Sequence, residues 1–222
     1  MDYAFNWRVV WQNWDFLISG ITLTLGVTAA SLSCAIVIGL AVGLMRLSKK
    51  GLLRRLAMAY VEIFRNTPAL VQLIWVYYCL PVLVGINLDA TSACIVALST
   101  NGAAYVAEIF RAGIQGVPPG QVEAARSIGM SYGETMRKII LPQATRKMIP
   151  PFVNEAVSLL KYSSLVSVLG VSDLTYQAQV LSTTTFRPIE IFTFIGVVYF
   201  LVCWMMSSAA QVLERRLAVS DR

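Results

Sequence analysis

The 222-residue sequence contains no histidine, and only 14% of it is charged. Without an imidazole there is no histidine acid–base catalysis and no histidine-ligated metal. The four cysteines, Cys34, Cys79, Cys94 and Cys203, stand far apart inside apolar runs. They form no C-x-x-C pair and read as small buried hydrophobes. A G-x-x-x-x-G-K-[ST] phosphate loop is missing, so the chain has no such route to ATP. A metal-ligand cluster and a nucleophile–base pair are missing as well, which argues against an enzyme. What fills the space is hydrophobic: 57% of residues, with mean hydropathy +0.66. Soluble domains average roughly 25% charged residues and about 45–50% apolar ones. Disorder requires the opposite bias, and the apolar residues here form long blocks rather than periodic faces. The sequence is that of an integral membrane protein.

Phe16 to Met45 carries no charge, ample for a hydrocarbon core of about 30 Å. Asn66–Leu88, Ala90–Ala107 (after the lone Asp89) and Ile191–Leu213 are also uncharged. Phe152–Val171 is apolar except for Glu155 and Lys161. This predicts an all-α membrane protein of about five spans, at 16–45, 57–87, 90–111, 151–171 and 190–213. The net charge of +6 follows span ends rather than marking a nucleic-acid surface. Fifteen Lys and Arg lie in the 46–65 and 111–147 segments and the basic tail 214–222, against Arg8 and Arg187 on the other side. By the positive-inside rule the N-terminus is outside and the C-terminus cytoplasmic. Residues 1–15 lack the basic and apolar regions of a signal peptide. Their Tyr3, Phe5, Trp7, Trp11 and Trp14 suit an amphipathic segment on the outer surface.

The cytoplasmic stretch 112–150 is too regular for a passive loop. Val117-Pro118-Pro119-Gly120 ends span three, and a helix over Gln121–Ile128 breaks at Gly129. Ser131-Tyr132-Gly133-Glu134 has capping-box spacing. A second short helix is expected to run to about Ile140 and to be closed by Leu141-Pro142. The pair would form a compact knob.

Glu123-Ala124-Ala125, three residues, Gly129, nine residues, Ile139, one residue, Leu141-Pro142 resembles the EAA loop of ABC-importer membrane subunits. The similarity extends across roughly residues 16–213. Phe64-Arg65-Asn66-Thr67-Pro68 with Val71-Gln72-Leu73 resembles the second-span signature of polar amino-acid uptake permeases. Tyr105, Glu108, Ile109, Arg111 and Gly113-Ile114 are similar to the group's third span. Ser158-Leu159-Leu160-Lys161 with Ser163-Ser164-Leu165 is similar to its fourth. Tyr162, Ser163 and Asn66 depart from residues common in that group.

The resemblance implies a type I ABC-importer, MetI-like permease fold. It implies a separate ABC ATPase that binds ATP and Mg, no cofactor in this chain, a second permease subunit, identical or homologous, and an extracytoplasmic amino-acid-binding protein. Membrane lipid would surround the assembly. Glu123, Ala124, Ala125, Gly129, Ile139, Leu141 and Pro142 would couple to the ATPase. From the residues themselves, Asn154, Ser158 and Lys161 fall at i, i+4 and i+7 on one polar stripe. Lys161 lies about 15 Å along a helix from Pro151, near the midplane. Intramembrane charges usually face a cavity or a partner, so the stripe is expected either to line a substrate path or to supply an ion pair with Glu155, Glu108 or a neighbouring subunit. Ser164, Arg65 and Glu108 complete the candidate path residues. Glu62–Arg65 and Glu108–Arg111 have i, i+3 spacing. A midplane lysine suits any α-carboxylate, with glutamate or aspartate favoured and glutamine next. The competing function is a stand-alone secondary transporter or channel, against which no inverted repeat is detectable.

Overall fold

The computed structural model describes residues 3–218, with side chains as far as Val212. The arginines of the expected basic tail, Arg215, Arg216 and Arg222, lie outside the described side chains. Every regular element is helical: α1 (Arg8–Gln12), α2 (Trp14–Leu47), α3 (Gly51–Arg65), α4 (Ala69–Val84), α5 (Ala90–Gln115), α6 (Pro119–Ser127), α7 (Tyr132–Leu169), α8 (Leu174–Thr185) and α9 (Pro188–Ala218). Helices α2, α5 and α9 are each long and apolar enough to cross a membrane. Two further crossings arise if the bent pairs α3–α4 and α7–α8 each count as one, giving up to five.

Helix α5 lies at the centre. Its small residues Ala103 and Ala107 let α2 approach closely. A methyl group added at Gly39 would sit 2.4 Å from the Val106 side chain, and one at Gly43 would meet Phe110 and Ala107. The Gly39-x-x-x-Gly43 pair therefore packs within the subunit. Two buried threonines in α2 satisfy themselves along the helix: Thr28 Oγ1 donates to Thr24 O at 2.7 Å, and Thr24 Oγ1 to Gly20 O at 3.0 Å. At the opposite end of α5, Asp89 caps the helix, accepting from Ser92 N at 3.1 Å. The Ser92 hydroxyl and backbone N–H hold the Asp89 carboxyl below the usual carboxylate range.

Pro68 starts a new helix rather than kinking a continuous one. The axis turns by 105° between α3 and α4, and Pro68, extended at ψ 134°, occupies the N-cap. A proline lacks the N–H that would continue the α3 ladder. Thr67 does not cap α4; its hydroxyl donates back to Ile63 O at 2.7 Å. Such a corner strands carbonyls inside an apolar medium. Buried Gln72 removes the problem, its Nε2 donating to Phe64 O at 2.8 Å and Thr67 O at 3.0 Å. Buried Asn101 on α5 adds Nδ2 donations to Phe64 O at 3.1 Å and Gln72 Oε1 at 3.2 Å.

Leu141-Pro142 does not close a helix, contrary to the sequence expectation. The chain runs as one continuous helical rod from Tyr132 to Leu169, with Pro150 and Pro151 also inside it. A π-turn over Met136–Ile140 precedes Pro142, and Leu141 N donates to Met136 O, five residues back. The wider turn accommodates the proline ring and its missing donor, which an uninterrupted α-helix does not. The same device precedes Leu80-Pro81, where Leu80 N donates to Trp75 O. The stretch between the expected fourth and fifth spans contains α8, capped by buried Asp173 through Thr175 N and Tyr176 N. The N-terminal segment is tied to the start of α9: Tyr3 OH donates to Glu190, Asn6 N donates to Glu190 Oε1 at 2.8 Å, and Arg187 Nη1 donates to Ala4 O at 2.5 Å.

Candidate functional site

The candidate residues fall into three regions: the knob, a polar face on α7, and a charged cluster between them.

In the knob, α6 ends in a Schellman motif. Gly129 sits at φ +83°, Met130 N donates to Ala125 O at 3.1 Å, and Gly129 N donates to Arg126 O at 3.0 Å. The expected capping box follows at once: Glu134 N donates to Ser131 Oγ at 3.3 Å, and Ser131 N to Glu134 Oε2 at 3.1 Å. Glu123 and Ala124 are exposed, as are Leu141 and Pro142, whereas Ile139 is half-buried. Ala125 is buried, so its small side chain serves the packing of α6 on the rod rather than an outer surface. Gln143 pins the two arms together, its Nε2 donating to Gln121 Oε1 at 2.5 Å and to Ile139 O at 2.9 Å. Beneath, Val117, Ile140, Ala144 and Met148 form one apolar cluster with Phe110, Ile114 and Phe152. The knob is thus fastened both to α5 and to the rod.

The α7 rod carries the polar stripe. Asn154 and Lys161 are exposed on the surface of this chain, and Ser158 is half-buried between them. Ser158 Oγ donates to Asn154 O at 3.0 Å, and Ser164 Oγ to Lys161 O at 2.7 Å, so both hydroxyls keep oxygens able to accept. Lys161 forms no ion pair among the described residues, and the internal pairs with Glu155 or Glu108 are not made. Glu155 is instead buried, 7% exposed, with Oε1 unpartnered. It lies within electrostatic reach of Arg65 and Tyr162.

The charged cluster gathers where α2, α3 and α5 reach the cytoplasmic side. Arg111 grips Glu108 at 2.8 Å through Nη2 and 3.2 Å through Nε. Arg46 also contacts Glu108, and Arg65 Nη1 reaches Glu108 Oε2 at 4.0 Å. The expected Glu108–Arg111 pair is present. The Glu62–Arg65 pair is not: Glu62 accepts from Asn66 Nδ2 at 2.9 Å, while Arg65 lies over the Tyr105 ring at 5.3 Å. Asn66 occupies the Glu62 carboxylate, and the Tyr105 ring and Glu108 on α5 draw Arg65 the other way. A cavity of about 310 Å³ opens beside the cluster, lined by Arg65, Glu108, Ile109, Gly113, Lys147 and Pro151.

Spacing alone does not state that Gln72 and Asn101 serve the carbonyls at the α3–α4 corner. Both are uncharged polar residues inside apolar blocks, and the cost of an unpaired polar group in lipid was the available signal. Arg46 was read as a topology marker only.

Comparison with known proteins agrees with this architecture. The family described as binding-protein-dependent transport system inner membrane component matches residues 35–219. The chain is 34% identical over 216 residues to the glutamine transport system permease protein GlnP of Escherichia coli, covering 97% of this chain and 99% of that protein. It is 35% identical over 206 residues to the arginine transport system permease protein ArtQ of Bacillus subtilis, covering 93% and 94%. In a crystal structure of an amino acid ABC transporter with histidines, one chain superposes with TM-score 0.92 at 38% identity, covering 96% of this chain and all of that one. A chain of the MetNI methionine ABC transporter in an inward-facing conformation superposes with TM-score 0.78 at 25% identity, covering 93% and 98%. The chain belongs to the inner-membrane components of binding-protein-dependent transport systems, among the amino-acid ABC transporter permeases, and is not itself an ATPase.

Proposed function

We propose that this chain is the permease subunit of an importer for a neutral polar amino acid, and that the knob docks on a separate ATPase. Glu123, Ala124, Leu141 and Pro142 form the docking surface, while Gly129, Ala125 and Ile139 hold its shape. The observation that carries the reading is the continuity of α7. One helical rod begins in the knob at Tyr132 and carries Asn154, Ser158 and Lys161 on a single face. Displacement of the knob by an ATPase therefore moves that face as a lever, without a flexible joint at Leu141-Pro142. The N-terminus lies outside and the C-terminus in the cytoplasm.

In this reading a second permease subunit, identical or homologous, covers the exposed polar stripe, and the substrate passes between the two. Leaving Lys161 toward lipid would cost about 2.5–3.5 kcal/mol on insertion scales, so a polar pathway is its natural surroundings. Lys161 receives the α-carboxylate. Glutamine is placed ahead of glutamate and aspartate, reversing the preference drawn from sequence, because relatives of this chain are named for glutamine transport. An extracytoplasmic binding protein delivers the amino acid, and ATP and Mg act on the partner.

The test is uptake by proteoliposomes containing this chain, its ATPase and its binding protein, with labelled glutamine, glutamate and arginine offered separately. Glutamine uptake that needs ATP, falling at least tenfold in Lys161→Gln without loss of assembly, is the expected result. Unchanged uptake by Lys161→Gln would remove the path assignment, and uptake without the ATPase would favour a stand-alone transporter.

A further inference from the structure

We propose that the arginine cluster is a second station on the path, an exit-side site for the carboxylate of the departing amino acid. The inference rests on the substrate-path reading and extends it to the cytoplasmic mouth.

The first observation is charge. Arg46, Arg65, Arg111 and Lys147 converge on a region with Glu108 and Glu62, and buried Glu155 lies within reach of Arg65. Of these, Glu108 is the carboxylate that all three guanidiniums approach within 4.0 Å. Its side chain is 19% exposed and that of Arg46 is 15% exposed, so water compensates the excess poorly. Basic side chains outnumber carboxyl groups here, and a further anion suits the excess.

The second observation is the state of each donor. Arg111 is committed to Glu108 and to Gln115, and Lys147 Nζ donates to Gly116 O at 2.7 Å while lining the cavity. Arg65 is not committed in this way. Its nearest carboxylate oxygen is 4.0 Å away, its side chain is 43% exposed, and its planar fork is steadied over Tyr105 at the cavity wall. A guanidinium so placed is fit for bidentate carboxylate recognition. The cavity of about 310 Å³ is at the small end of ligand pockets, the size for a free amino acid.

The third observation is alignment. Lys147, Pro151, Asn154, Ser158 and Lys161 follow one another at spacings of four, three, four and three residues, a single face of α7. Lys147 and Pro151 line the cavity at the foot of the face that carries Lys161. The cluster therefore lies below the proposed midplane site, about 15 Å further along the same rod. A carboxylate leaving Lys161 meets Arg65 next.

The experiment uses the assembled transporter, with its ATPase and both permeases but without binding protein, in phosphatidylcholine nanodiscs. Equilibrium binding of labelled L-glutamine is expected to resolve two classes of site. Arg65→Gln should weaken the weaker class at least tenfold, Arg65→Lys less, because it keeps charge but loses the fork. Lys161→Gln should remove the tighter class only, and L-glutaminol, which lacks the carboxylate, should not compete at the weaker one. If Lys161→Gln leaves both classes intact, the midplane assignment fails while the exit station stands. If glutaminol competes as well as glutamine in the unmutated protein, or Arg65→Gln binds as the unmutated protein does, the exit station is overturned. Repetition in phosphatidylglycerol nanodiscs, with native mass spectrometry, distinguishes the other source of such an anion. A retained phosphatidylglycerol that is lost in Arg65→Gln, with no weak glutamine class, would assign the cluster to a lipid phosphate and overturn the proposal.

Discussion

Replacing Gly129 tests whether the knob depends on backbone conformation or on side-chain room. A Cβ added at Gly129 meets nothing within 4 Å, so within this chain the substitution carries no clash. What it does carry is φ +83°, where an L-residue costs about 1–2 kcal/mol. That lowers the population of the closed Schellman turn by a factor of about 5–30. Asn visits this region more readily than Ala, and a β-branched residue less readily still. Proline forbids the conformation and also deletes the Gly129 N–H bond to Arg126 O at 3.0 Å. The expected order of damage is Asn, then Ala, then Val, then Pro. Gly133 is the control: its surroundings are equally open and it does not have a positive φ. There Ala should be harmless, or stabilising by up to about 1 kcal/mol through helix propensity. The assays are ATP hydrolysis stimulated by the binding protein in the reconstituted complex, and amide exchange at Met130, whose N–H closes the turn. Size and conformation rank Asn and Ala in opposite orders. Greater damage from Asn than from Ala, or equal damage at Gly133, would refute the backbone argument and point to contact with the partner.

Four further outcomes follow from the packing and the caps. Gly39→Ala places a methyl 2.4 Å from the Val106 side chain and should cost about 1–3 kcal/mol, whereas Gly26→Ala, with nothing within 4 Å, should be neutral; thermal stability in detergent separates them. Gln72→Leu and Asn101→Leu should each destabilise, and a double-mutant cycle should show coupling of about 0.6 kcal/mol or more, since Asn101 donates to Gln72. Ser131→Ala should cost about 1 kcal/mol of knob stability, read as faster amide exchange at Glu134, whose N–H would lose its acceptor. Asp89 has its carboxyl lowered, so the cap's contribution is complete above the ordinary carboxylate range and disappears as pH falls through the lowered value. Protection of the Ser92 amide should fade on acidification in the parent and stay level in Asp89→Asn.

Much of the site was legible because its residues act locally. The capping box at Ser131, the turn at Gly129 and the stripe Asn154–Ser158–Lys161 are all fixed by neighbours within one or two turns, and their spacing states them. The helix-closing role expected of Pro142 failed for a non-local reason. A proline ends a regular α-helix, but a π-turn ahead of it carries the rod through, and no pattern in Met136–Ile140 announces that turn. The Glu62–Arg65 pair failed likewise, because Asn66 takes the Glu62 carboxylate while Arg65 turns to Tyr105 and Glu108 on α5.

The sequence by itself determined that this is a helical membrane protein with a structured cytoplasmic knob and no ATP-binding loop. Uncharged blocks must leave water, and charged ends must stay in it. Only the tertiary structure decided which partners the buried polar groups take. In an apolar medium each of them must find a partner, and Gln72, Asn101, Glu108 and Arg65 find theirs on helices remote in sequence. Among the described residues Glu155 Oε1 has no hydrogen-bond partner and Lys161 no ion pair, and exposed Lys161 points to what the assembled transporter supplies.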